Sequence, residues 1–402
     1  MKPCLFLLII WFVSHAVWAQ PAVQKRYQTQ LIMADNGSTI DLDAGTFTFT
    51  GSLSLEDKKQ ITIRGKGIDK TILSFKGQTD GAEGLRISNA ESIVIEDLTI
   101  QDSKGDGIKT MNVKGITFRN VKVEWTGPPS EKNGGYGLYP VQCDNVLIDR
   151  CTAIGASDAG IYVGQSRGIV VKNSKAYHNV AGIEIENSRN ADVFDNESYE
   201  NTGGILVFDL PDLVQKQGGN VRVYNNYIHD NNLPNFAPAG NIVASVSDGT
   251  GLLIMATNQV EVFGNRFIRN QSVNTGIISY LLTERPITDK SYYPYPTGIS
   301  IHDNVYQRDA TPPSMRGRYG KLFQMLQLSQ DVPHIVYDGI VDTATLNKDG
   351  KPLPDRRICI RNNQNQSVVN LDAGRGFKNV SRSADPFNCQ LEPLKATAGN
   401  GR

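Results

Sequence analysis

Short segments in which aliphatic and polar residues alternate recur along the chain: "IVIEDLTI", "ITFRNVKV", "VLIDRCTA", "IVVKNSKA", "ADVFDNES", "VRVYNNYI", "VEVFGNRF" and "ISIHDNVY". Such alternation marks strands with one buried face. The fifth position of the aligned segments reads Asp97, Asn120, Arg150, Asn173, Asp195, Asn225, Gly264 and Asp303, at spacings of 23, 30, 23, 22, 30, 39 and 39 residues. A base period of 22 or 23 residues with insertions explains the series. A second column is a glycine followed by an aliphatic residue: Gly107-Ile108, Gly137-Leu138, Gly160-Ile161, Gly182-Ile183, Gly204-Ile205 and Gly251-Leu252. Each unit therefore holds two or three short strands broken by Gly, Asp or Asn turns, with no helical periodicity between them.

A unit of this size cannot bury its inward residues alone. Stacking one coil on the next at about 4.8 Å buries a continuous aliphatic column. Asn196, Asn226, Asn265 and Asn304, one place after the turn column, can bond side chain to side chain when stacked. The leucine frame of leucine-rich repeats is absent. The pattern predicts an all-β chain, a right-handed parallel β-helix solenoid over residues 20–305. A helical N-terminal cap should cover its first coil. Residues 306–357, Pro-rich and charged apart from "KLFQMLQL", read as an irregular insertion or lid. "ICIRNNQN" echoes an earlier coil, so residues 358–395 read as a final coil and cap, with a disordered tail over 396–402.

The run Ile61-Thr62-Ile63-Arg64-Gly65-Lys66-Gly67, followed by Thr71-Ile72-Leu73, resembles the N-terminal coils of the pectin-lyase-like superfamily of β-helix proteins. The resemblance covers roughly residues 25–305. It implies kinship with the carbohydrate-binding and sugar-hydrolysing β-helix group. "YGLYPV", Tyr136 to Val141, is similar to the "YGFDPH" segment that carries the active site of mannuronan C5-epimerases in that superfamily. Tyr136, Gly137 and Pro140 match, but the motif's aspartate is Tyr139 here and its histidine is Val141. Only Tyr136 carries over, and the acid/base pair of that route is missing.

Residues 1–19 read as a secretory signal: Lys2, an apolar run over 5–13, and Val17-Trp18-Ala19 before a cleavage at Gln20. The expectation is export to the periplasm or beyond, with no membrane insertion after cleavage. Cys143, Cys151, Cys359 and Cys389 remain, an even count that permits two bridges in an oxidising compartment. Cys359 and Cys389 could staple the C-terminal segment, and Cys143 and Cys151 equally suit small buried wall positions. Charge is balanced at 41 basic and 41 acidic residues, which argues against nucleic acid and leaves a polysaccharide, or else a protein, as the expected partner of a monomer.

Two residues after each repeated glycine come Lys109, Tyr139, Tyr162, Glu184 and Leu206; five after it come Asn112, Gln142, Gln165, Asn187 and Asp209. Stacked along one side, these columns offer aromatic faces, amides and carboxylates, as a sugar groove needs. The longer gaps at 121–136 and 205–219 would supply its walls. Lys109, Tyr139, Gln142, Tyr162, Gln165 and Asn187 are the expected substrate contacts. Glu184, Asp209, Tyr136 and His178 are the catalytic candidates, with Asp158 a further acid or base and Lys109, Lys175 or Arg167 available to neutralise a uronate carboxylate. Glu184, Glu186 and Asp209 could hold a calcium ion, although no cofactor is predicted. The "GDGI" segment from Gly105 to Ile108 reads as a turn. A lyase, an epimerase and a hydrolase all remain open, as does a non-catalytic periplasmic or surface module serving a protein partner.

Overall fold

The computed structural model describes residues 20–309, 316–328 and 331–397. The expected signal and the end of the expected tail, 398–402, lie outside the described residues. Each central coil contains three strands, as in Ala159–Gly164, Arg167–Lys172 and Lys175–Tyr177, and the next coil repeats them as Ala181–Glu186, Arg189–Phe194 and Glu197–Tyr199. The first strand of every coil joins an eleven-stranded parallel sheet; the other two join a nineteen-stranded one. Register is kept from coil to coil: Ile161 pairs with Ile183, Ile183 with Ile205, and Ile205 with Leu252. These residues and their counterparts on the other strands fill the interior and are fully buried.

The two sequence columns have separate physical causes. The turn column Asp97, Asn120, Arg150, Asn173, Asp195, Asn225, Gly264 and Asp303 adopts left-handed backbone, with φ between 51° and 66°. Asp and Asn tolerate that region better than other side chains, and Gly without strain. The repeated glycines answer a close approach instead: a Cβ on Gly182 would lie 2.6 Å from the carbonyl oxygen of Gly204, and one on Gly137 2.4 Å from that of Gly160.

Asparagine side chains run through the inside of two turns. The amide oxygen of Asn226 accepts from the backbone N–H and the side-chain amide of Asn196, both at 3.0 Å. Asn226 in turn donates twice to Asn265, which donates to Asn304, which donates to Asn363. A second file joins Asn179, Asn201, Asn231 and Asn270. These groups are dry, so each bond satisfies a donor that water cannot reach.

The helix Gln20–Met33 closes the first coil. Tyr27 and Leu31 are buried, and the Tyr27 ring meets Phe47 and Phe49 edge-on at 5.7 and 6.1 Å. At the other end the boundary expected at residue 306 falls inside the strand Val305–Gln307, and Ile335–Tyr337, within the expected insertion, is a further strand of the eleven-stranded sheet. Three inward-outward residues are too few to show a period, which is why the sequence reading took them for lid. Cys359 and Cys389 form a disulfide, while Cys143 and Cys151 are free and buried. Beyond Cys389 the chain runs back across the nineteen-stranded sheet. The N–H of Leu394 donates to Glu261 and that of Thr397 to Asp192, so the expected tail is tied to the solenoid as far as Thr397.

Outside the eleven-stranded sheet lies a second apolar layer. Leu206, Phe208, Leu253, Met255 and Ile278 face outward there and are buried under Val243, Val246, Tyr280, Tyr292 and Phe323 from later segments. The outer face is thus covered from the coil of Leu206 onward.

Replacing Asn226 by Ala leaves the Asn196 donors without an acceptor inside a dry turn. A loss of about 3 kcal/mol is expected, read as a lowered urea midpoint. An unchanged midpoint would mean that the asparagine file does not carry stability.

Candidate functional site

Register assembles the site on the outside of the eleven-stranded sheet. Lys109 pairs with Tyr139, Tyr162 with Glu184, and Glu184 with Leu206; the pairing of Leu138 with Ile161 sets Tyr139 beside Tyr162. This is the column expected from the sequence. Tyr136 joins it: its ring centroid is 4.5 Å from those of Tyr139 and Tyr162, which are 4.9 Å from each other. The Nζ of Lys109 lies 4.7 Å over the Tyr139 ring and 3.7 Å from Asp106. Tyr136, Tyr139, Lys109 and Asp106 are half-buried and form the rim.

Behind the rim stand carboxyl groups without a cation. Glu186 accepts a 2.6 Å hydrogen bond from the Tyr162 hydroxyl, and Asp158 accepts one of 3.0 Å from the Asn241 amide. Glu184, between Tyr162 and Leu206, is 1% exposed, and its Oε2 has no hydrogen-bond partner. Burial pushes Glu184 well above the usual carboxylate range, and the neighbouring Asp158 and Glu186 push it further. Asp158 is raised to about 7 by burial and by Glu186, against the pull of Asn241 and Tyr136. Glu186 is raised to about 7 by burial, offset by the Tyr162 hydroxyl. At the rim, burial raises Asp106 to about 6, against the attraction of Lys109. The cluster therefore holds protons near neutrality, a state suited to proton donation.

Several expected contacts have other work. Gln165 and Asn187 belong to a left-handed turn column with Asn112 and Gln142. Gln165 accepts from the N–H of Val214, and Asn187 bonds both N–H and carbonyl of Leu210. Their side chains tether the loop 209–218 and are not free for a ligand; Gln142 stays half-buried at its turn. Asp209 is buried, takes the Gly218 N–H at 2.8 Å, and is raised to about 8 by burial. It anchors the same loop. His178 is not brought to the cluster: it sits in the turn after Lys175–Tyr177, with Nε2 3.0 Å from Glu200 and its ring against Tyr177. Among the described residues no group of three or more His, Cys, Asp or Glu is arranged to hold a metal ion, so Glu184, Glu186 and Asp209 do not gather into the calcium site considered for them.

Two contributors escaped the sequence reading. Asp106, in the segment taken for a turn, faces Lys109. Asn241 arrives from an aperiodic loop over residues 230–249 that also places Phe236, Ile242, Val243 and Val246 on the second apolar layer beside Tyr162 and Leu206. That loop thus packs beside Tyr162 and Leu206, the two residues paired with Glu184 on either side. Asp106 was signalled by an acidic residue directly before a repeated glycine; nothing local signals Asn241.

Since the folded state retains protons that the unfolded chain releases, stability falls as pH rises from the ordinary carboxylate range through the raised values. Glu186→Gln keeps the acceptor for Tyr162 and removes one such group. The variant should gain on the wild type by about 1–3 kcal/mol between pH 4.5 and 7, with no further change above. Equal pH dependence of the two in urea melts would contradict a Glu186 carboxyl that burial keeps protonated in the folded state.

A family described as right handed beta helix region matches residues 53–212. Depolymerase 1, capsule KN3-specific, of Klebsiella phage KN3-1 is 25% identical over 129 residues, 29% of this chain but 16% of the depolymerase. The matching part thus spans about a sixth of that protein's length. The A-module of mannuronan C-5 epimerase AlgE6 from Azotobacter vinelandii superposes with a TM-score of 0.51 at 18% identity, covering 71% of this chain and 83% of the module. The AlgE4 A-module gives 0.49 at 17% identity, covering 72% and 83%. With parallel three-strand coils stacked in register and a family match over residues 53–212, the chain has the right-handed parallel β-helix fold.

Proposed function

We propose that this is an exported β-helix protein that binds a polysaccharide across the rim of Tyr136, Tyr139 and Lys109 and modifies it with the carboxyl groups behind that rim. The observation that carries the reading is the juxtaposition of three tyrosines, mutually within 4.9 Å, with a buried glutamate whose Oε2 lacks a partner. Aromatic rings suit the apolar faces of sugar rings, and a carboxyl group held protonated near neutrality suits donation to a glycosidic oxygen. In that role Glu184 gives its proton to the leaving oxygen as the bond to the anomeric carbon breaks. Ionised Glu186 takes a proton from the water that adds to that carbon. The loop 230–249 lifts to admit the chain, releasing the Asn241–Asp158 bond. Similarity to a capsule-specific depolymerase and the fold shared with a mannuronan C-5 epimerase support a polysaccharide partner. The disulfide supports an oxidising compartment, and no helix among the described residues is long and apolar enough to cross a membrane.

The burial of Glu184, at 1% exposure, favours one other reading, that of a non-catalytic module whose covered face serves a protein partner. Turnover separates the two. On whichever of a set of neutral, amino and uronate polysaccharides shows release of reducing ends, Glu184→Gln should lower the rate about 100-fold or more with circular dichroism unchanged. Full activity in the variant would remove Glu184 from the chemistry, and no release from any polymer would favour the module.

A further inference from the structure

The charge balance of the acidic cluster behind the tyrosine rim points to the kind of sugar it takes. We infer that the ring bound behind Tyr136 and Tyr139 is neutral or carries an amino group, and is not a uronate. This rests on the polysaccharide reading above and narrows it.

Glu184 is 1% exposed and its Oε2 accepts from nothing. A buried carboxyl oxygen without a partner is costly, and its partner must come from outside. A sugar hydroxyl can accept from Glu184 when that group is protonated and donate to it when it is ionised, whereas an ionised uronate carboxylate only accepts and is repelled once Glu184 or its neighbours ionise. The surroundings agree. The main electrical influences on Asp158, Glu184 and Glu186 are other acids, with tyrosine and asparagine hydrogen bonds, and no lysine or arginine. Lys109 is engaged with Asp106 and the Tyr139 ring. Arg285 bonds the backbone carbonyl of Asn241, whose side-chain amide holds Asp158. A uronate placed here would add a further negative charge to a dry acidic cluster, whereas an ammonium would relieve it.

The chemistry follows from the same balance. Removing the C5 proton of a uronate requires its carboxylate to be neutralised, and the cluster offers no lysine or arginine for that. Hydrolysis requires a proton donor and a second carboxylate, both of which are present. Elimination and C5 epimerisation therefore fit this cluster poorly.

Calorimetric titration of the folded, disulfide-bonded protein with glucosamine, N-acetylglucosamine and galacturonate oligomers of equal length tests the inference. Glucosamine or N-acetylglucosamine oligomers should bind at least tenfold more tightly than galacturonate. Combining Asp158→Asn with Glu186→Gln should shrink any advantage of glucosamine over N-acetylglucosamine, in variants checked by circular dichroism. Galacturonate binding as tightly as the others, or more tightly, overturns the inference while leaving polysaccharide binding intact. Absence of binding by all three, together with absence of binding to the neutral, amino and uronate polysaccharides, overturns the parent reading and this one together.

Discussion

The stacking of identical positions at the strand spacing governs this molecule. Once each coil repeats the backbone path of the last, a residue's neighbours above and below are its own counterparts. A requirement at one position is then imposed on the whole column. Glycine recurs because the next glycine's carbonyl oxygen occupies the space of a Cβ. Asparagine recurs inside the turns because its amide can accept from one coil and donate to the next. The aliphatic interior is the apolar version of the same rule.

The outer face obeys the register without obeying the repetition, and chemistry becomes available there. In the column Lys109, Tyr139, Tyr162, Glu184, Leu206 only the two tyrosines repeat, so different groups far apart in sequence meet at about the distance between strands. The half-covered sheet sets their protonation. Where loops seal the column, Leu206 becomes ordinary core; one step before, Glu184 shares the same dry layer and cannot ionise freely. The site therefore lies at the margin of the covered region, where rim tyrosines still reach solvent.

This division explains what could be read from the sequence. The period exposed the turn column over eight coils and the glycine column over six, because stacking repeats each requirement, and the outward column followed from its fixed offset from the glycine. The N-terminal helix and the Cys359–Cys389 pairing were within reach for related reasons: an open solenoid end needs a cover, and Cys389 lies beyond the final coil strand that holds Cys359. Burial was not legible. Gln165 and Asn187 look like free surface amides in the repeat, yet they bind the backbone of a loop that the period does not describe. His178 occupies a turn position, and its direction depends on Glu200 one coil away. Asn241 lies in an insertion, and only the folded chain brings it 3.0 Å from Asp158, 83 residues earlier. Aperiodic segments leave no column to read.

The central claim is that the tyrosine rim and the acidic cluster beside the loop 230–249 receive a saccharide. Hydrogen–deuterium exchange with and without glucosamine oligosaccharides tests it most directly, since it reports where the chain responds. The account predicts altered exchange in residues 136–142, 158–164 and 230–249 together, with the far face of the solenoid unchanged. Changes confined to that far face or to the C-terminal strap, with those three segments unaffected, would contradict it.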